Sequence, residues 1–367
     1  MKLYYPGFYR DFHCLAGACP DSCCRQGWQI VIDDVHKDLY EGLEGKLGAQ
    51  VRRALETVDG ETSLHMENGT CVLLQEDGLC PIAAQLGEEG LCHICHTHPR
   101  FLEEYGGTRE IHLSLSCPEA ARLAAEAAEI RFESEQTEEE VSCCNEIDPE
   151  EYFALLTARD FALNTVQDEN LPFYDRLALL LQAARRLQRA FDQGKHELCK
   201  PILEVTAAQS RHIARTRRLR LKGTSYFAEI EVFSALEHLT EEFPSLLRRA
   251  VFTAKDGKEF DHVCAPLLQR FCALWLAHYI PKAVCDGRID SKIRFCVLLT
   301  LAVRRLCLCE NKCSPADAMA MAGLLAKEIE HSEENVKALW SILENDSWHE
   351  HLTTQLPLTK KGDTDAI

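Results

Sequence analysis

The sequence predicts a mainly α protein: an irregular, metal-organised, cysteine-rich N-terminal domain packed on a C-terminal α-helical domain. Three observations carry that expectation. Nine of the 19 cysteines fall within the first 117 residues, in short irregular segments rich in Gly and Pro. From about residue 150 onward, apolar residues recur at the three- and four-residue spacing of helices. Between the two, Glu133 to Glu151 holds nine Asp/Glu and no Lys/Arg, the composition of a solvated linker. The expected boundaries are 1–132 for the cysteine-rich domain, 133–151 for the linker, 152–346 for the helical domain and 347–367 for a frayed tail.

In the first part, Trp28–Asp33 reads as a short strand, and Val35–Glu44 and Gly48–Leu55 as short helices. Cys71–Leu74 and Gly78–Cys80 read as an extended piece and its return. Pro118, suited to a first helical turn, opens a helix over Glu119–Phe132. In the second part, Leu171–Ala190 has Leu177, Leu180, Leu181, Ala184 and Leu187 on one side. His262–Ile280 is a helix stopped by Pro281. Asp290–Cys309 is apolar on most faces and reads as a central, buried helix. Ser314-Pro315-Ala316-Asp317 is a helix start with a capping residue and Pro in the first turn. Glu333–Leu343 places Val336, Leu339, Trp340 and Leu343 on one face. No fixed-period repeat is present.

The formal net charge of −18 disfavours a nucleic-acid partner, whose phosphates call for Lys and Arg. It suits solubility and cationic partners such as a lysine-bearing protein surface. The basic run Arg211–Arg220 reads as one solvated helix face. Met1–Gly7 has no apolar core and no cleavage site, so no secretory signal is expected. The longest apolar stretch, Phe295–Val303, is too short to span a bilayer, and no membrane partner is expected. A cytoplasmic location follows, where cysteines stay reduced and clustered ones point to metal or catalysis.

The cysteines run Cys14-x4-Cys19-x3-Cys23-Cys24, then Gly27-Trp28, and resume with Cys71, Cys80, Cys92, Cys95 and Cys117. Thiolates select zinc, copper(I) or iron–sulfur clusters. Cys19, Cys23 and Cys24 read as one half of a site, with Cys80, Cys95 and Cys117 as its partners. Eight or nine thiolates exceed one site, so either two metal centres exist or some cysteines are simply buried. Cys199, Cys264, Cys272, Cys285, Cys296, Cys307 and Cys309 fall in helical segments and read as core residues. His93, His96 and His98 alternate with Cys92 and Cys95, which keeps a Cys/His zinc site open.

Pro99-Arg100 suggests a fixed turn holding a guanidinium near the metal, able to grip a carboxylate bidentately. Its plain reading is a structural arginine. Glu330-His331-Ser332-Glu333-Glu334-Asn335 lies where one helix gives way to the next, with Ser332 as a cap and Asn335 in the first turn. The plain reading is a junction with solvated acids; the functional one puts Glu330 and His331 at a cleft as acid/base groups. No phosphate-binding glycine loop or dinucleotide fingerprint occurs.

The chain resembles the bacterial flagellin lysine N-methylases. The resemblance lies in Phe12-His13-Cys14-x4-Cys19-x3-Cys23-Cys24-x2-Gly27-Trp28-x-Ile30, in Gly78-Leu79-Cys80-x-Ile82, in Cys95-x3-Pro99-Arg100 and in Leu113–Ala121. It continues through Ala283–Gly287 to Glu330–Asn335. The cysteine part alone is also similar to small zinc- or iron-chelating domains. The resemblance implies methyl transfer from S-adenosylmethionine to the ε-amino group of flagellin lysines, and an iron–sulfur cluster, [4Fe–4S], among the cysteines. It matches Cys14, Cys19, Cys23, Cys24, Cys71, Cys80, Cys95 and Cys117 to the family's cysteines and leaves Cys92, Cys143 and Cys144 as extras. His98 stands where an aromatic such as Tyr is expected. Under this reading Glu330 and His331 are candidate catalytic residues, and Arg100 and Asn335 candidate cofactor-binding residues. Two other classes remain: a non-enzymatic zinc-stabilised binding module, and an electron carrier.

Overall fold

The computed structural model describes residues 1–58, 60–138, 147–209, 228–252 and 257–356. Its first strand, β1 (Lys2–Pro6), is the keystone of the N-terminal half. β2 (Ile30–Val31), β3 (Leu55–Val58) and β4 (Glu61–Leu64) form a separate antiparallel sheet in the order β2-β4-β3. Helices α1 (Asp34–Gly42) and α2 (Gly45–Ala54) pack beside it, and Tyr40 and Val51 are buried among Ile30, Leu64 and Leu73. β5 (Met66–Glu67) and β6 (Thr70–Cys71) make a tight hairpin. Asn68 and Gly69 both take positive φ, 50° and 76°, as a two-residue turn of this hand requires. Two short helices follow, α3 (Pro81–Leu86) and α4 (His93–Thr97).

β7 (Arg100–Tyr105) and β8 (Thr108–Leu113) form a hairpin, and β1 lies parallel to β8 with Lys2 opposite Thr108. Helix α5 (Pro118–Glu126) ends well before the expected Phe132. Residues Phe132–Gln136 instead form β9, antiparallel to β1, giving the sheet order β7-β8-β1-β9. The start of the acidic stretch is therefore a paired strand. Tertiary pairing overrides composition here: Phe132 stacks on Tyr4 at 4.9 Å, and Arg10 forms an ion pair with Glu135. Residues 139–146, including Cys143 and Cys144, lie outside the described residues, as does the basic run 211–220.

The helical half contains α6 (Pro149–Val166), α7 (Phe173–Phe191), α8 (Cys199–Ala208), α9 (Glu242–Phe252), α10 (Lys258–Tyr279) and α11 (Ile289–Cys309). It closes with α12 (Pro315–Ile329), α13 (Glu333–Leu343) and α14 (Ser347–Gln355). α11 is the central helix expected from its apolar faces: Phe295, Cys296, Val297, Leu298 and Val303 are fully buried. The chain from Lys258 through Cys285 is long and apolar enough to cross a membrane by composition, yet 72% of its most apolar window is buried here. The residues after Asp346 are helical where a frayed tail is expected. Leu352 and Leu356, four apart, are both buried in the main core, which holds α14 down. Residues 357–367 lie outside the described ones.

One core runs through both halves. Leu115, Ala121, Ala124 and Ile130 belong to the same apolar cluster as the helices α6 to α14. Close approach is possible because α12 carries Gly323 at the contact; a Cβ there would sit 3.2 Å from the Leu115 carbonyl oxygen. At the start of α12, the Ser314 hydroxyl accepts from the Asp317 N–H (3.1 Å), and the Asp317 carboxylate accepts from the Ser314 N–H (3.2 Å). Ser314→Ala should cost about 1 kcal/mol in chemical denaturation, since it removes one side of this reciprocal cap.

Candidate functional site

The halves meet at a cluster of four rings. Trp28 and His98 come from the cysteine-rich segments, Phe101 from β7, and His331 from the turn between α12 and α13. The His331 ring centre lies 4.5 Å from Trp28, 5.4 Å from His98 and 5.3 Å from Phe101. Trp28 and His98 are 5.1 Å apart. All four side chains are half-buried, so the cluster keeps a face toward solvent. His98 precedes a cis peptide bond to Pro99, and its ring occupies the aromatic place expected there. His331 Nε2 is held by the hydroxyls of Ser114 (3.1 Å) and Ser116 (2.9 Å), and Ser114 donates to Ser116 (2.9 Å). Burial lowers His331 to about 3, with His98 adding to the effect, and burial lowers His98 to about 4. Both rings are therefore neutral near pH 7.

Glu330 and His331, expected together at one cleft, point apart. Glu330 is buried in the helical core, and its Oε1 accepts from the Tyr279 hydroxyl at 3.0 Å. Burial raises its carboxyl to about 7, although Tyr279 and Trp275 act in the opposite direction. The folded state thus holds this proton more tightly than the unfolded chain, whose carboxyl titrates at about 4.5. The resulting stabilisation is complete below that value and is lost as pH rises toward about 7. Glu330→Gln keeps an acceptor for Tyr279. Relative to wild type it should gain about 3 kcal/mol of stability in all as pH is raised through this window, read from urea midpoints.

Behind Phe101 lies a line of ionisable groups that the sequence reading missed. Phe101 stacks on His278 at 4.8 Å, and His278 on His112 at 4.7 Å. Burial lowers His278 to about 3, and Lys282 acts in the same direction. Against burial, His278 and Lys282 hold the Glu103 carboxyl at about 2. Deeper still, Glu110 accepts from Arg159 at 2.6 Å and lies 3.2 Å from His112 Nε2.

The two residues expected to bind a cofactor have different settings. Arg100 donates from Nε to the Tyr9 hydroxyl (3.1 Å) and lies over the rings of Tyr9 and Phe12. Among the described residues no carboxylate pairs with it. Asn335 acts as a brace. Its amide donates to the carbonyls of Glu237 (2.8 Å) and Glu328 (2.9 Å) and accepts from the Glu237 N–H (3.0 Å). That leaves no amide donor for a ligand and gives Asn335 the role of fixing the turn that carries His331.

The thiols gather behind Trp28. Cys24, Cys71, Cys80, Cys92 and Cys95 pack into the small core around Tyr40, Leu73 and Ile82, with Trp28 against it. Tyr40 fixes Cys92 in place: its hydroxyl accepts the Cys92 N–H (2.8 Å) and donates to the Gly90 carbonyl (2.9 Å). Asp33 accepts the next N–H, that of His93, at 2.8 Å. Cys80, Cys92 and Cys117 each occupy the position just before a helix. Burial pushes the Cys80 and Cys117 thiols up; the backbone N–H groups of Ile82 and Ala83 at Cys80, and of Glu119 and Ala120 at Cys117, act in the opposite direction. The Cys23 thiol, hydrogen-bonded to its neighbour, lowers Cys24 to about 6, and Cys95 does the same to Cys92, to about 7. This donor set fits a thiolate-held metal. A tetrahedral zinc site, with bonds of about 2.3 Å, draws its sulfurs to about 3.8 Å of each other. Among the described residues no three of these cysteines and histidines offer ligand atoms that all lie within 4.8 Å of one another.

Fold and site together describe a mainly α-helical protein whose ring cluster lies where cysteine-bearing segments meet the helices. A family model described as the FliB lysine N-methylase C-terminal domain matches residues 159–353, over half of the chain. The chain belongs to that family. The matched span holds Glu330, His331 and Asn335 and leaves the nine N-terminal cysteines outside it. The flagellar biosynthetic protein FliU of Salmonella muenchen is 33% identical over 123 residues, 31% of this chain and 71% of FliU. The lysine-N-methylases of Salmonella choleraesuis (strain SC-B67) and Salmonella typhimurium (strain LT2) are each 34% identical over 31% of this chain. The matched segment spans 30% of the length of each of those two enzymes. No solved structure matches the chain.

Proposed function

We propose that the protein transfers methyl groups from S-adenosylmethionine to the ε-amino groups of flagellin lysines, in the cytoplasm, with an iron–sulfur cluster held by its N-terminal cysteines. The observation that carries this reading is the ring cluster Trp28–His98–Phe101–His331, built in a lysine N-methylase family member where the cysteine-rich unit meets the helices.

The chemistry makes three demands, and the site has a group for each. A lysine must lose its proton to become a nucleophile. An apolar, half-buried surround disfavours the ammonium form, and so promotes that loss. In the tautomer that donates Nε2–H to the serines, Nδ1 of His331 accepts a hydrogen bond from the uncharged amine and orients its lone pair; a ring held at about 3 positions the amine, and the proton leaves to solvent. The amine lone pair then forms the N–C bond as the C–S bond breaks, and the bonding pair stays on sulfur as the neutral thioether. Both the sulfonium and the methylated ammonium are cations that the faces of Trp28 and Phe101 can hold. The donor's carboxylate finds a partner in Arg100, which is already oriented by Tyr9 and Phe12. A cluster with an open iron would supply a further anchor for the donor's amino-acid end. The net charge of −18 suits the approach of a lysine-bearing surface.

The test is to incubate the anaerobically purified protein with methyl-labelled S-adenosylmethionine and flagellin. Label is expected on flagellin lysines by peptide mass analysis. Flagellin that stays unlabelled beside a donor-consuming positive control contradicts the reading.

A further inference from the structure

The nine N-terminal thiols do not form one set. Five of them, Cys24, Cys71, Cys80, Cys92 and Cys95, lie in the small core around Tyr40. Cys117 packs in a different apolar cluster, with Phe12, Leu113 and Ala120. Cys14 is exposed and Cys19 half-buried, and neither joins the Tyr40 core. The electrostatic neighbours divide the same way. Cys71 feels Cys24, Cys80 and Cys92, and Cys80 feels Cys24 and Cys92. Cys117 feels Cys19 and Cys14, and Cys19 feels Cys14. The adjacent pair Cys23–Cys24 joins the groups. Cys23 feels Cys14 and Cys117, whereas Cys24 packs in the Tyr40 core; Cys95 faces both members of the pair.

Backbone contacts hold each group in place. Glycines bring the outer loop down onto the turn before Cys80: a Cβ on Gly17 would lie 2.7 Å from the Asp77 carbonyl oxygen, and one on Gly78 would lie 3.1 Å from Gly17. The backbone N–H of Ala16 reaches the Cys14 sulfur at 3.4 Å, and that of Asp21 faces Cys19. On the inner side the Leu73 N–H faces Cys71, and Tyr40 fixes Cys92. The outer group also lies near the ring cluster: Cys117 follows Ser116, which holds His331, and Lys327 of α12 pairs with Asp21, two residues from Cys19.

We infer that the chain holds two thiolate-bound metal centres. The outer one is ligated by Cys14, Cys19, Cys23 and Cys117 and lies next to the His331 ring cluster. The inner one is ligated by four of Cys24, Cys71, Cys80, Cys92 and Cys95 and organises the Tyr40 core. Cys19 and Cys24, expected from their spacing to share one half-site, then serve different metals. The inference rests on the metal-binding reading of the cysteines and not on methyl transfer.

The test uses iodoacetamide on the full-length, anaerobically purified holoprotein, with peptide mass analysis and iron and zinc determination before and after metal removal by a chelator. Both groups should resist alkylation while metal is present and react, at least 10-fold faster, once it is removed. Cys14→Ser with Cys117→Ser should lose the outer metal and expose Cys19 and Cys23, while Cys71 and Cys80 stay protected. If either whole group alkylates as fast before metal removal as after, or if the outer variant loses all bound metal while circular dichroism shows the wild-type fold, two centres are ruled out. A protein with one centre that still methylates flagellin would overturn this inference alone. One with both centres and no methyl transfer would overturn the functional reading alone.

Discussion

His331→Ala should lower kcat/KM for methyl transfer about 100-fold and leave the fold unchanged, the loss expected when the group that orients the attacking amine is removed. The argument is geometric. His331 sits at the centre of the ring cluster, with Trp28, His98 and Phe101 all within 5.4 Å of its ring. Its orientation is fixed by two serine hydroxyls on a segment 215 to 217 residues away in sequence. It is half-buried and lies at a turn, so little core packing depends on it. Ser114→Ala with Ser116→Ala should act in the same direction by a smaller factor, because the ring stays but its orientation loosens. Steady-state kinetics together with thermal denaturation separates these effects. A His331→Ala protein with normal kinetics would return the residue to a purely structural role.

The largest stability effect should come from Glu110. Glu110→Ala is expected to cost about 3–5 kcal/mol, because it strands a buried guanidinium. Arg159, at 4% exposure, is paired to Glu110, which is at 1%. The same guanidinium lies 4.2 Å over the Tyr4 ring, on the strand next to Glu110. This pair ties the sheet that carries Phe101 to α6 of the helical half. Arg159→Leu should be similarly costly. The double variant should cost clearly less than the sum of the two, since removing both charges leaves no unpaired ion. Urea denaturation of the four proteins gives the cycle; strict additivity would show that the pair does not act as a unit.

Local chemistry made much of the helical half legible. The apolar spacing of Val336, Leu339 and Leu343 and the Ser332 cap delimit α13 at the residues expected, Glu333–Leu343. The Ser314-Pro315-Asp317 signal opens α12, and the all-round apolar α11 is indeed central. The misses have a shared cause in long-range contacts. β9 is a strand because β1 pairs with it, although its own residues read as linker. The short apolar spacing of Leu352 and Leu356 could have flagged α14, but in isolation such a segment is a marginal helix. At the site, the motif residues were visible in the sequence, yet their partnerships were not. Nothing in the spacing tells that Trp28 meets His331, that Ser114 and Ser116 hold it, or that Glu330 turns inward to Tyr279. The motif singles out Asn335, and the structure shows its amide bound to Glu237 and Glu328.

The most direct test of the central claim, that lysine methylation occurs at the ring cluster, is to measure initial rates of label transfer to flagellin for wild type and Trp28→Ala at equal metal content. The account predicts that Trp28→Ala loses at least about 10-fold in rate, as expected when a desolvated cation loses its best aromatic face. A Trp28→Ala protein that methylates flagellin at the wild-type rate would place the chemistry elsewhere on the molecule.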